Sequence, residues 1–151
     1  MYEPAVIRHA QRSDIAVLLS MMTALAKFEG YAEKFRVTAT ELENRLFNHQ
    51  DFEVLIAELA GQPCGMLVYY YLPFSFDLKP WVYMKELFVH EPMRSAGIGK
   101  KLMQHFINDC RQQGVSKIRF DVLASNTPAQ LFYQTLGAQA DADWQLYVLM
   151  L

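Results

Sequence analysis

The residues from Val89 to Lys101, VHEPMRSAGIGKK, hold the clearest chemical signal in the chain. An apolar strand pattern ends there, two glycines follow as Gly97-x-Gly99, and a helical apolar pattern begins. A helix start presents backbone N–H groups with no partner inside the helix, together with a partial positive charge. Glycines let that backbone approach a ligand closely, and Arg94, Lys100 and Lys101 add full charges. The chemistry suited to such a place is the binding of a pyrophosphate. The pattern is not the dinucleotide fingerprint, because no third glycine completes it. Nor is it the nucleotide P-loop, because no Gly-Lys-Ser/Thr closes it. On these residues alone, a tight strand-to-helix turn accounts for the two glycines equally well.

The elements around this loop follow from periodicity. Ala5 to Arg8 reads as a first strand. Ser13 or Asp14 caps a helix whose apolar positions Ile15, Leu18, Leu19, Met22, Leu25 and Ala26 share one face, ending before Gly30. Thr38-Ala39-Thr40-Glu41 is a capping box that opens a second helix through Leu42, Leu46 and Phe47. Phe52–Glu58 and Gly65–Leu72 read as a hairpin turning at Gly61-Gln62, with Tyr70 on one face and Tyr69 and Tyr71 on the other. Trp81–Val89 is a further strand, Gly97–Cys110 a helix and Lys117–Leu123 a strand. Thr127-Pro128-Ala129-Gln130 caps a short helix that Gly137 ends, and Trp144–Leu151 reads as a last strand. The order is that of a mixed sheet with helices on its faces, α/β or α+β, in one domain over residues 1–151.

Composition bounds the function. The chain has 151 residues, 52% of them hydrophobic and 13% aromatic, enough for a real core and far from disorder. A net charge of −2 argues against a general nucleic-acid binder. The charge is uneven: residues 94–119 hold six bases and one acid, while the remainder holds eight bases and fifteen acids. That distribution suits one anionic and one cationic ligand, and suits chance and solubility as well. Met1-Tyr2-Glu3-Pro4 lacks the basic and apolar regions of a signal peptide, and no stretch is apolar enough to span a bilayer, so a cytoplasmic protein is expected. Cys64 and Cys110 have no metal or redox spacing and read as reduced core fillers. His9, His49, His90 and His105 are isolated and read as structural or exposed.

Downstream of the glycine loop, after one more strand, stands Asn126-x-x-Ala129-x-x-x-Tyr133-x-x-x-Gly137. Arg94-x-x-Gly97-x-Gly99 followed by this second motif resembles the GNAT acetyltransferase family. Ala24–Glu29, Val82–Val89 and Trp144 extend the resemblance to the diamine acetyltransferase subgroup, which contains the spermidine/spermine and thialysine N-acetyltransferases. The resemblance implies a GNAT fold, with a mixed central sheet of six to seven strands, a splayed parallel pair and about four flanking helices. It implies acetyl transfer from acetyl-CoA to a primary amine, in a homodimer, without a metal.

Carried over by position, the resemblance makes Arg94, Ser95, Ala96, Gly97, Ile98, Gly99 and Lys100 the pyrophosphate loop. Leu87, Phe88 and Val89 become the backbone contacts to the pantetheine arm and thioester. Asn126 becomes a contact to the same arm, Tyr133 the residue beside the sulfur that protonates the leaving thiolate, and Glu29 a group near the acceptor. Trp81 is a candidate wall of the acceptor pocket. The subgroup usually carries Glu then Asp in the central strand, where this chain reads Lys85-Glu86. That change bears on a polyamine acceptor more than on acetyl transfer, and Phe74-Ser75-Phe76-Asp77 looks closer to the thialysine-type relatives.

An alkyl amine of pKa ~10.4 needs a base to expose its nucleophile at neutral pH. Glu86 is the candidate base or the anchor of a water that serves as one. Strand alternation sets Lys85 and Glu86 on opposite faces unless a bulge turns one of them. Neither cysteine has a nucleophile's surroundings, so direct transfer in a ternary complex is expected, without an acyl-enzyme. Simpler readings stand beside these: Glu86 as a strand-edge charge, Glu29 as a solvated helix end, Trp81 as a sheet anchor and Tyr133 as a helix core residue. Other functions on the same residues are acetylation of protein amines or of aminoglycoside-like compounds, or a CoA-binding module without turnover.

Overall fold

The computed structural model describes residues 4–151. Met1, Tyr2 and Glu3, on which the reading of the N-terminus partly rests, lie outside them. The chain divides into two compact units, one ending at Phe120 and one spanning Asp121–Leu151.

The first unit is built on a five-stranded sheet in the order β1-β2-β3-β4-β5. The strands are β1 Val6–His9, β2 Glu53–Leu59, β3 Gln62–Leu72, β4 Trp81–Val89 and β5 Lys117–Arg119. The first four pair antiparallel in sequence order, and β5 joins β4 in parallel. The β2–β3 hairpin turns at Ala60 and Gly61, both in the left-handed region at φ 51° and 77°. Positive φ at both central residues matches the right-handed twist of the flanking strands. The turn therefore sits one residue earlier than the sequence pattern suggests.

Two helices cover one face of the sheet. Helix α1 (Ile15–Glu29) buries Leu18, Met21, Met22, Leu25 and Ala26, one stripe at helical spacing, and Gly30 ends it at φ 86°. Helix α2 (Ala39–Glu43) is capped by the Thr38 hydroxyl, which accepts from the Glu41 N–H, and continues as a π-helical turn over Asn44–Asn48. Both pack with Val54, Ile56, Met66, Val68 and Phe88 in one core. Asp14, only 4% exposed, ties the start of α1 to the sheet edge. Arg8 of β1 donates to it at 2.7 and 3.0 Å and holds its carboxyl below the usual carboxylate range. Arg8 also reaches Glu58 of β2 at 2.9 Å.

Helix α3 (Ile98–Gln112) covers the opposite face with Ile98, Leu102, Met103, Phe106 and Cys110. Phe106 lies 4.8 Å, ring to ring, from Tyr69. The approach is close at Gly65, where an added Cβ would stand 3.1 Å from the Phe88 carbonyl, 3.3 Å from Leu102 and 3.4 Å from Ile98. Because the Phe88 carbonyl is backbone of β4 and cannot rotate aside, a larger residue there strains the β3–β4 pairing as well as crowding the Ile98 and Leu102 side chains of α3. Gly65→Ala is expected to lower stability by about 1–3 kcal/mol, seen as a lower urea midpoint at unchanged slope.

The site depends on an irregularity in β4. Val68 pairs with Glu86 and Tyr69 with Met84, so Lys85 is an extra residue in the ladder. The bulge switches the face on which the strand's side chains fall. Met84 lies across from Tyr69 on the α3 side, whereas Glu86 and Phe88 lie on the α1 side, across from Val68 and Met66.

In the second unit, α4 spans Thr127–Thr135. Its cap is Asn126, whose side-chain oxygen accepts the Ala129 N–H at 3.2 Å, and not Thr127. Gln130 turns back to the Leu123 and Ala124 carbonyls at 3.1 and 3.0 Å. The sheet described here has five strands rather than six to seven. The region expected as a strand over Lys117–Leu123 is laddered only through Arg119. Trp144–Leu151 has no ladder neighbour within its own unit and forms no strand there. An apolar pattern reports the conformation a segment favours, while a strand also needs a partner.

Candidate active site

The bulge brings Lys85 and Glu86 to one cavity of about 340 Å³ on the α1 side of the sheet. Its floor is apolar, made by Met22 of α1, Leu42 of α2 and Val68 of β3, all buried. Glu86 stands at this floor with its Oε2 buried and without a hydrogen-bond partner among the described residues. Burial pushes the Glu86 carboxyl up to about 7, with the Glu29 charge adding to the rise and Lys85 opposing it. A carboxyl with that value is matched to taking a proton near neutral pH.

Two tyrosines that the sequence reading left out of the site surround this acid. Tyr31, just past the end of α1, donates its hydroxyl to Glu29. Burial, together with the Glu86 and Glu29 charges, pushes its phenol up to about 12. Tyr70 of β3 lines the cavity, and burial and the Glu86 charge raise its phenol. The alternation of Tyr69, Tyr70 and Tyr71 anticipated that Tyr70 faces away from its neighbours. Its nearness to Glu86 required the strand register, which no local pattern carries. Arg36 and Arg45, on the cavity wall, were missed for the same reason.

The phosphate-binding candidates lie at the far end of β4. Glu91–Ala96, including Ser95, form a 3-10 stretch the sequence did not suggest, and Gly97 follows at φ 75°, a conformation that favours glycine. Helix α3 then starts at Ile98, with the Lys101 N–H bonded to the Gly97 carbonyl at 3.1 Å. The amides of Ile98, Gly99 and Lys100 precede that first bond and face outward along the axis. Arg94 folds back instead, its Nε donating to the Val89 carbonyl at 3.0 Å and its guanidinium lying 5.8 Å from the Phe88 ring centre. Leu87, Phe88 and Val89 pair with β3 on one edge. On the other edge, the pairing of β4 with β5 stops at Tyr83.

Trp81 stands at the opposite end of β4 from this loop and is not among the walls of the Glu86 cavity. Lys117 sits 4.1 Å above its ring, Phe76 meets it edge-on at 5.8 Å, and its indole nitrogen is buried without a partner among the described residues. In the second unit, Asn126 caps α4 and Tyr133 lies on that helix, 5.3 Å from the Phe132 ring centre.

The sequence model of the acetyltransferase (GNAT) family matches residues 19–138. The chain belongs to the GNAT family. Among its relatives, this GNAT chain is 30% identical over 141 residues to a thialysine N-epsilon-acetyltransferase of Mus musculus, covering 88% of its own length and 83% of the mouse protein's. It is 23% identical over 186 residues to an L-ornithine N5-acetyltransferase of Arabidopsis thaliana, covering 93% and 82%. A solved aminoglycoside acetyltransferase from an uncultured soil metagenomic sample superposes with a TM-score of 0.78 at 21% identity, covering 97% of both chains, a likeness of fold. The family and its fold are those that the Arg94 and Asn126 motifs suggest, and the GNAT chain is an acetyltransferase.

Proposed function

We propose that this GNAT enzyme moves the acetyl group of acetyl-CoA directly to a primary amine of a small cationic acceptor, a polyamine or a lysine-like amino acid. The observation that carries the reading is the buried Oε2 of Glu86, without a hydrogen-bond partner among the described residues, at the floor of a small cavity. The names of the relatives, one acting on thialysine and one on ornithine, support a side-chain amine as the target. The reading takes residues 1–151 as one catalytic domain that works as a homodimer in the cytoplasm and uses no metal.

In this mechanism the amides at the start of α3 and the side chain of Lys100 bind the CoA pyrophosphate. The unpaired edge of β4 at Leu87–Val89 receives the pantetheine arm and donates an N–H to the thioester oxygen as charge develops on it. An ammonium of pKa ~10.4 is ~0.04% neutral at pH 7, so exposing its lone pair costs about 4.6 kcal/mol. Glu86 takes that proton directly or through a water, and the acceptor nitrogen attacks the acetyl carbon. Asn126 holds the CoA arm. Tyr133 returns a proton to the departing sulfur. Burial raises both cysteine thiols, Cys110 to about 11, which leaves little thiolate to form an acyl-enzyme.

A free-thiol release assay with acetyl-CoA tests the reading over a panel of spermidine, spermine, lysine, ornithine and thialysine. Release with at least one amine, above the rate without amine, is the expected result. CoA binding with no release on any amine points to a module without turnover. Failure to bind CoA overturns both.

A further inference from the structure

The mouth of the Glu86 cavity is not the uniformly acidic surface expected for a polycation site. Its walls carry three cations, Arg36, Arg45 and Lys85, against two acids, Glu41 and Glu86. Arg45 is already engaged, 3.4 Å from Glu41 and 3.5 Å from Asp51. Arg36 is not. One of its terminal nitrogens donates to the Glu33 and Phe35 carbonyls at 2.7 and 3.1 Å, and no carboxylate pairs with it among the described residues. Lys85 likewise has no ion pair among the described residues. The two unpaired cations are exposed at the rim, while the base lies at the floor. With Glu29 acting on Glu86 and Asp51 paired with Arg45, acids and bases are about balanced around the cavity, and the cations without an ion pair among the described residues stand at its rim.

The two backbone bonds matter as much as the charge. They pin the guanidinium in place at the mouth, so little side-chain freedom is lost when it binds a ligand. A planar guanidinium held in this way is suited to a carboxylate, which it can meet through two parallel N–H groups. A cavity of about 340 Å³ takes one small molecule.

We propose that Arg36 is the specificity residue of this site and binds a carboxylate on the acceptor. The preferred acceptor is then a small amino acid whose side-chain amine reaches Glu86, and a diamine or polyamine without a carboxylate is a poor one. The assignment rests on the reading of Glu86 as the amine end of the cavity. Lys85, a second cation at the rim, adds to the same selection by attracting the carboxylate that the diamine lacks.

The test compares acceptors that differ only in the carboxylate: lysine against cadaverine, and ornithine against putrescine. The wild-type enzyme should give a higher kcat/KM for the amino acid of each pair. Arg36→Gln should lower the amino-acid-to-diamine ratio by about 10- to 100-fold, mainly through the amino acid's KM, and Arg36→Lys should recover part of the loss. A wild-type preference for the diamine, or an Arg36→Gln loss equal on both members of a pair, overturns the proposal. Calorimetric binding of Nε-acetyl-lysine and of N-acetylcadaverine to the CoA-loaded protein gives a readout free of turnover. If no amine releases thiol, the acetyl-transfer reading fails. Carboxylate-dependent binding lost in Arg36→Gln would still support the role of Arg36, and binding indifferent to the carboxylate would reject it.

Discussion

Replacing Glu86 with glutamine should make the protein more stable and nearly inactive at once. Both effects come from the same burial. Glu86 has its carboxyl moved from an ordinary value of 4.5 to about 7, chiefly because its charged form is stripped of water. A carboxyl whose folded value is raised favours the folded state in its protonated form. That contribution is fully present below about pH 4.5 and is lost as pH rises through about 7. Above neutrality the wild-type protein thus carries a destabilisation of up to about 3 kcal/mol that the neutral amide does not. The difference in unfolding free energy between Glu86→Gln and wild type should be near zero at pH 4, grow between pH 5 and 7, and level off above. Denaturant titrations across that range check it, and a difference that shrinks with rising pH would reject the buried-acid account. The kinetic cost follows from removing the base: kcat should fall by about 10²- to 10⁴-fold. In the wild type, kcat/KM should rise with pH through about 7 as Glu86 loses its proton, a limb absent in the variant. Glu29, Lys85, Tyr31 and Tyr70 all act on the Glu86 carboxyl or are acted on by it, so that limb reports the group and not an isolated side chain.

The second large effect should fall on Tyr133. In the proposed mechanism its phenol supplies the proton that the leaving sulfur needs. A thiolate of parent pKa ~8.5 departs moderately well unaided, which sets the loss in Tyr133→Phe near the low end of general-acid effects, about 10²-fold in kcat. The affinity for CoA should stay within a few-fold of wild type, because the ring remains and only the hydroxyl is lost. Single-turnover acetylation together with calorimetric CoA binding separates the two quantities. A variant that binds CoA weakly but turns over normally at saturation would make Tyr133 a cofactor contact and not an acid.

Much of this was legible in the chain because it is local. Gly97 at positive φ, the helix start at Ile98 and the apolar stripe of α1 each follow from a few neighbouring residues. Glu86 could be picked out because the family resemblance expects acids in the central strand where this chain reads Lys85-Glu86. What could not be read was pairing. The face of Glu86 depends on Lys85 being an extra residue against β3, and Tyr70 and Arg36 reach the cavity only through the folded register. The closing strand failed for the same reason, since the apolar run from Trp144 to Leu151 names no partner. The cap of α4 was misplaced by one residue because Asn126 and Thr127 are both good caps, and backbone geometry chose between them.

The extra residue in β4 separates two requirements that are usually joined at one position. Lys85 is exposed, so the strand asks almost nothing of its side chain, yet the whole phase of Glu86 and Phe88 depends on a residue being there. Such a position is free in identity and fixed in number. An acid can give way to a lysine there without disturbing the core, changing the charge that the acceptor meets while the base keeps its place. Selectivity can thus drift at Lys85 independently of catalysis at Glu86, and a one-residue deletion would cost what no substitution there does.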